Sequence, residues 1–142
     1  MLFDKENLLS DAQAIVATAA STNYIDLGAT GKVLGAPANL VRDIGKGKPL
    51  PIRVQVTEAF NNLTSLKIDL EVDDNTSFST PRAVQSVTVL LASLIAGRVD
   101  AFDYVPVGAN ERYMRLNYTV TGTAPSTGKI TAGIVAGQQE NP

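Results

Sequence analysis

The stretch that decides the fold is Leu66-Lys67-Ile68-Asp69-Leu70-Glu71-Val72. Its apolar and charged side chains alternate, which predicts a β-strand with one face toward a core and the other toward solvent. A register shift of one residue would bury the charged side chains, so the pattern also fixes which face is buried. Pro51–Phe60 and Arg115–Val120 alternate in the same way, as strands of antiparallel sheets do when one face is solvated.

Two further segments are more continuously apolar. Val84–Ile95 and Lys129–Ala136 predict central strands that are buried on both faces, although a short helix at Leu90–Ala96 is an alternative for the first. Gly133 lies inside the second segment, where a glycine indicates a bulge or a close approach of another backbone. Together with the alternating strands, these segments predict an all-β domain.

Turn residues separate these runs. Asn61-Asn62 predicts a hairpin between the first two alternating strands, and Gly108-Ala109-Asn110 separates Phe102–Val107 from the strand near Tyr113. The second turn would place the aromatic residues of both segments on neighbouring strands of one hairpin. Short strands at this spacing predict a sandwich, a jelly roll or a barrel.

Three segments lie outside the clear strands. Residues 28–50 form a long loop rich in glycine and proline, either a binding element or a crossover between sheets. Asp11–Ala19 has helical spacing of its apolar residues, with Ser10 as a possible N-cap, but it leads into an alternating stretch. Residues 138–142 read as a polar tail. A length of 142 residues predicts one domain.

Composition narrows the function classes. The formal net charge of −2, without a basic stripe, argues against a nucleic-acid partner. No apolar stretch reaches the ~20 residues that a membrane helix needs, and no secretory signal is visible at the start. The chain has no cysteine and no histidine, so thiol and imidazole chemistry are excluded. We therefore predict that the protein is not an enzyme and uses no metal or cofactor.

Acidic residues offer the remaining route to catalysis. Asp69, Glu71, Asp73 and Asp74 form the densest cluster, and Asp73-Asp74-Asn75 also has the oxygen ligands that calcium prefers. The spacing of a known calcium loop is absent. We favour a solvated strand face followed by a turn over either a catalytic pair or a cation site.

The aromatic and arginine residues near the C-terminal third predict a binding surface. Tyr104, Arg112, Tyr113 and Arg115 are of the types that anchor protein interfaces. Packing between strands is the structural alternative. A glycan-binding surface is the functional alternative, since jelly rolls often form lectins.

Several strings resemble the jelly-roll capsid cement proteins of short-tailed phages, of the type first described on a Bordetella phage. The resemblance spans nearly the whole chain and is weakest between Ala29 and Arg82. The strings are Ser10–Ile15, Ser21–Gly28, Tyr104–Gly108, Arg112–Leu116 and Thr123–Val135.

This resemblance implies one jelly-roll β-sandwich over residues 1–142, with an extended N-terminal arm at residues 1–20 in place of a helix. It implies a capsid decoration protein, made in the host cytoplasm, that binds the major capsid protein on the outer surface of the virion. It also implies self-association, with a homodimer favoured over a homotrimer. For such a role we expect contacts from Phe3 and Leu8 of the arm, which could be removed without unfolding the domain, and from Lys46 and Lys48 of the loop tip Gly45–Lys48.

Overall fold

The computed structural model describes residues 3–43, 50–102 and 104–137. About half of the described residues lie in β-strands, the described part of the chain has a 3-10 turn at Leu91–Ser93, and none of its helices could span a membrane. The strands are β1 (Phe3–Ala14), β2 (Ala19–Ala20), β3 (Ile25–Asp26), β4 (Ile52–Glu58), β5 (Leu63–Asp73), β6 (Arg82–Leu90), β7 (Val99–Phe102), β8 (Tyr113–Gly122) and β9 (Lys129–Val135).

The strands form two antiparallel sheets that pack as a sandwich. One sheet has the order β1-β9-β4-β7, and the other has the order β2-β8-β5-β6, with β3 also paired to β8. This architecture confirms the predicted all-β class. The chain changes sheets at most of its connections, and the jelly roll stays a prediction.

The core lies between the two sheets and is built from the alternating residues of the sequence. Leu66, Ile68, Leu70 and Val72 of β5 are at most 1% exposed, so the stretch that predicts the fold supplies one wall of the core. A polar bridge crosses this core near β1: the Tyr118 hydroxyl lies 2.8 Å from the Ser10 hydroxyl. Other members of the core are Leu9, Ile15, Ile52, Val54, Val56, Met114, Leu116 and Ile130.

The prediction of a hairpin at Asn61-Asn62 is wrong. The strands on either side, β4 and β5, belong to different sheets, and Asn62 adopts a left-handed conformation with φ of 65° where the chain turns the corner. Two half-buried strands can bury their apolar faces by stacking across a sandwich as well as by pairing side by side, and the alternation pattern is the same in both cases.

The prediction of a central strand at Val84–Ile95 is also wrong. β6 pairs with β5 on one side and is the edge strand of its sheet. Much of this segment is solvated, and Leu90 and Ile95 are each at least 60% exposed. A continuous apolar segment indicates that a strand can be buried. The position of that strand in the sheet depends on pairing with strands that are distant in the sequence. The last strand is central as predicted, since β9 lies between β1 and β4.

The N-terminal segment is extended, so the helical reading of Asp11–Ala19 is wrong. β1 pairs with β9, and Leu8 of β1 lies opposite Gly133 of β9. A Cβ on Gly133 would lie 2.9 Å from the Asn7 carbonyl oxygen, which confirms the predicted close backbone approach. Leu9 is fully buried. Removing residues 1–10 would therefore take a strand out of the sandwich, contrary to the expectation of a detachable arm.

Candidate interaction surface

Three loops meet at one end of the sandwich. The short connection from β4 to β5 places the start of β4 and the end of β5 at the same end, and the β7–β8 connection also lies there. We call this surface the loop end and define it by residues 27–43, 74–81 and 104–112. The other connections, at 15–18, 59–62, 91–98 and 123–128, lie at the opposite end.

Arg42 ties two of these loops together. Its Nε donates to the Gly28 carbonyl oxygen at 2.7 Å, and its Nη1 donates to the Asn110 carbonyl oxygen at 2.9 Å. The backbone N–H of Arg42 donates to the Asn110 side chain at 2.8 Å. The carboxylate of Asp43 accepts from the Gly108 N–H at 2.9 Å. The base of the long loop is therefore fixed against the β7–β8 loop by three hydrogen bonds.

Two bidentate ion pairs brace the same end. Arg112 donates from Nε and Nη2 to the two oxygens of Asp26, both at 2.8 Å. These hydrogen bonds lower the pKa of the Asp26 carboxyl from 3.8 to about 2. Arg82 binds Glu111 in the same fork geometry at 2.7 and 2.8 Å, and this hydrogen bonding lowers the pKa of Glu111. Such planar pairs restrict geometry as well as contributing energy.

An aromatic cluster adjoins the loop end on the outer face of the β8 sheet. The Tyr24 ring lies 5.5 Å from the Tyr113 ring in an edge-to-face arrangement and 6.1 Å from Phe78. Arg112 covers the Tyr113 ring at 5.1 Å, and Arg115 covers Phe78 at 4.1 Å. Guanidinium groups therefore cover the Tyr113 and Phe78 rings, while Tyr24 is 47% exposed. The glycan-binding alternative stays a prediction.

The acidic residues of β5 are buried, so the prediction of a solvated strand face is wrong. Asp69 and Asp73 are 5% exposed and Glu71 is 9% exposed. Glu71 accepts hydrogen bonds from Arg115 at 2.9 Å, and Lys67 lies 2.9 Å from Asp69, which also accepts from Ser86. These carboxylates lie outside the core, as predicted, but the neighbouring strands and the 74–81 loop cover them.

The acidic turn after β5 is organised by hydrogen bonds within the protein. The two carboxylate oxygens of Asp73 accept the N–H groups of Asn75 and Thr80, each at 2.9 Å. Asp74 accepts the Arg112 N–H at 3.0 Å. Across the described residues, no group of three or more acidic side chains is arranged to hold a metal ion.

The predicted contact residues separate into distinct places. Arg112 belongs to the loop end and Tyr113 adjoins it, whereas Arg115 lies under Phe78 and pairs with Glu71. Tyr104 is 52% exposed in the β7–β8 loop, apart from the aromatic cluster. The expected single hairpin of aromatic residues is wrong, because β7 and β8 lie in different sheets.

The N-terminal and lysine candidates have different outcomes. Phe3 begins β1 opposite Val135, and it is half-buried. Leu8, with Tyr24 and Asp26, lines an open groove of about 440 Å³ between β1 and the β2–β3 segment. Lys46 and Lys48, with the rest of the predicted tip, lie outside the described residues.

Sequence reasoning missed the most exposed apolar residues of the loop end. Val33, Leu34, Leu40 and Val41 are all more than half exposed. The sequence did contain an indication of this surface. Residues 29–41 include four large aliphatic residues, which is unusual for a glycine- and proline-rich segment that belongs to no predicted strand or helix. Contiguous exposed apolar residues mark interaction sites in many soluble proteins.

In a comparison with protein families, the model of the Bbp16 family matches residues 9–137. None of the curated proteins matches the sequence. Among solved structures, the PBSX exported protein XepA is similar with a TM-score of 0.44 and 18% sequence identity, covering 95% of this chain and 38% of XepA. The chain thus spans well under half of XepA, and this distant likeness carries no argument about function.

Proposed function

The chain belongs to the Bbp16 family, whose name indicates a Bordetella phage protein, and on that basis we propose that it is a capsid cement protein of a phage particle. In this role it binds the outer surface of the major capsid protein shell and stabilises the contacts between capsomers. It acts by binding alone, without catalysis.

The loop end is the observation that carries this proposal. Its long loop and its β7–β8 loop are joined by hydrogen bonds from Arg42 to Asn110 and are braced by bidentate ion pairs, and the surface so formed exposes aliphatic and aromatic side chains. A preorganised surface loses little conformational entropy when it binds, which leaves more of the interaction energy as affinity. A protein that reinforces a shell needs such a surface on a stiff body.

The carboxylates support a role without catalysis. Asp69, Glu71 and Asp73 are each held by a cation or by backbone N–H groups. A general acid or base has to reach a substrate proton directly or through one water. These side chains are instead covered by neighbouring strands and by the loop that follows β5.

Lattice geometry makes modest affinity sufficient. A shell repeats the same site many times, and a ligand that recognises the assembled form stabilises that form by mass action. If one subunit contacts two capsomers, the second contact forms at high effective concentration. The free energy of each contact therefore adds to the stability of the assembled shell.

The free edge of β6 supports the proposed self-association. In the described part of the chain no strand pairs with its outer side, and residues 83–97 contain no charged side chain. Exposed edge strands usually carry charges or proline, which prevent pairing with another chain. β1, an edge strand of the other sheet, does carry charges, at Asp4, Lys5, Glu6 and Asp11. A second copy pairing along β6 would form the favoured homodimer.

Co-sedimentation with phage shells tests the function. Purified protein is mixed with assembled shells that lack it and, separately, with unassembled major capsid protein. We expect saturable binding to the assembled shells and a rise in the temperature at which they rupture. Absence of binding, or binding that leaves the rupture temperature unchanged, would contradict a cement role.

A further inference from the structure

The long loop forms a finger that projects from the loop end. We define the finger as residues 29–41. It carries Val33, Leu34, Leu40 and Val41, with exposures of 54%, 102%, 56% and 67%. Exposing four large aliphatic side chains to water is unfavourable by roughly 25 cal/mol for each Å² of apolar surface. Such a concentration indicates a surface that is covered in the working state.

The finger is held in one conformation by its own backbone. The Leu40 N–H donates to the Gly31 carbonyl oxygen at 2.9 Å and closes the finger into a loop, and the Ala36 N–H donates to the Val33 carbonyl oxygen at 2.9 Å near its tip. Arg42 then fixes the base to Gly28. The apolar side chains are thus presented from a defined backbone.

The arginines at the base of the finger are already paired within the protein. Lys32 is the one charged residue between Ala29 and Val41. At the base, Arg112 is paired with Asp26 and Arg82 with Glu111, while Arg42 lies 3.9 Å from Asp74. Apart from Lys32, the finger therefore offers a partner no charge to match, and an apolar site is its electrostatic complement.

We propose that the finger inserts, Leu34 first, into an uncharged apolar crevice on the major capsid protein shell. This inference rests on the proposed function and names the element that makes the attachment. A lipid surface is the less favoured occupant, because segments that bind anionic lipid headgroups generally carry clusters of basic residues, whereas Lys32 is the one basic residue of the finger and the arginines at its base are paired.

Hydrophobic insertion has a distinctive dependence on salt. Sodium chloride screens charge pairs and weakens binding that depends on them. Sulfate is excluded from protein surfaces and strengthens the burial of apolar groups. Binding through the finger should therefore be unchanged by sodium chloride and strengthened by sulfate.

The chain offers a matched pair of variants. Val33→Ser changes the finger, and Val16→Ser changes the opposite end of the sandwich at a valine of nearly equal exposure, 54% against 53%. Leu34→Ser removes the most exposed anchor. All three positions are at the surface, so thermal unfolding should confirm that each variant is folded.

The experiment measures binding of these variants to assembled shells and to vesicles of neutral and anionic lipid. We expect Leu34→Ser to weaken shell binding roughly ten- to one-hundred-fold, Val33→Ser to weaken it less, and Val16→Ser to bind like the original protein. If the original protein binds shells and both finger variants bind equally well, the finger is not the anchor although the cement role stands. If the original protein does not bind shells, both the cement role and the insertion of the finger are contradicted. Vesicle binding that Leu34→Ser abolishes, or shell binding that sodium chloride weakens, would also overturn the insertion of the finger into the shell.

Discussion

Replacing Arg115 by methionine tests whether this residue stabilises the fold or contacts a partner. Arg115 donates to Glu71 at 2.9 Å and stacks on the Phe78 ring at 4.1 Å. The Arg115 side chain is 20% exposed and the Glu71 side chain 12%. Methionine keeps the aliphatic contacts but leaves the Glu71 carboxylate without its cation.

The magnitude follows from the burial of the pair. Exposed ion pairs contribute about 0.2–1 kcal/mol, whereas removing one partner of a buried pair costs about 3–5 kcal/mol. For this mostly buried pair we expect Arg115→Met to lower the free energy of unfolding by about 2–3 kcal/mol. Glu71→Gln should cost about 1 kcal/mol, because Arg115 keeps its stacking and part of its solvation.

The assay is urea unfolding of both single variants and the double variant, followed by circular dichroism. The double variant should be more stable than the sum of the single effects by about 1–2 kcal/mol, because the unpaired carboxylate is removed. Strictly additive effects would show that the two side chains are not coupled. A stable Arg115→Met variant that loses shell binding would refute the structural role and restore the predicted contact role.

Three further outcomes follow from the structure. Tyr118→Phe removes the hydroxyl that bonds Ser10 between the sheets and should lower the free energy of unfolding by about 1 kcal/mol in urea titrations. Because the pKa of Asp26 is lowered, its ion pair stabilises the folded state above the ordinary pKa of 3.8, and this contribution is lost as the pH falls toward 2. The melting temperature of Asp26→Asn should therefore depend less on pH across that range than the melting temperature of the original protein. Leu90→Lys places a charge at the free edge of β6, and analytical ultracentrifugation should show that self-association is lost; an unchanged oligomer would place the self-contact elsewhere.

The strands could be predicted from the sequence because alternation is a local property. β5 and β9 lie where the apolar pattern puts them, and Gly133 marks a close approach of β1. The sheet to which each strand belongs could not be predicted in this way. β6 has the composition of a central strand and yet forms an edge, because strand order is set by pairing between distant parts of the chain.

The candidate surface was only partly predictable for a related reason. Residue type predicts Arg112 and Tyr113 as contact residues, and the structure places both at or next to the loop end. Arg115 has the same type but pairs with Glu71 on the adjacent strand β5, and residue type alone does not reveal such a cross-strand partner. The finger residues were passed over because aliphatic side chains in a loop carry no periodic signal, and their exposure becomes visible only when the fold is known.

Hydrogen–deuterium exchange of the protein bound to assembled shells tests the loop-end account most directly. Binding should slow exchange in the finger and in residues 104–112, while the connections at 59–62 and 123–128 exchange as in the free protein. Protection confined to those opposite connections, with the finger still exchanging freely, would contradict attachment through the loop end.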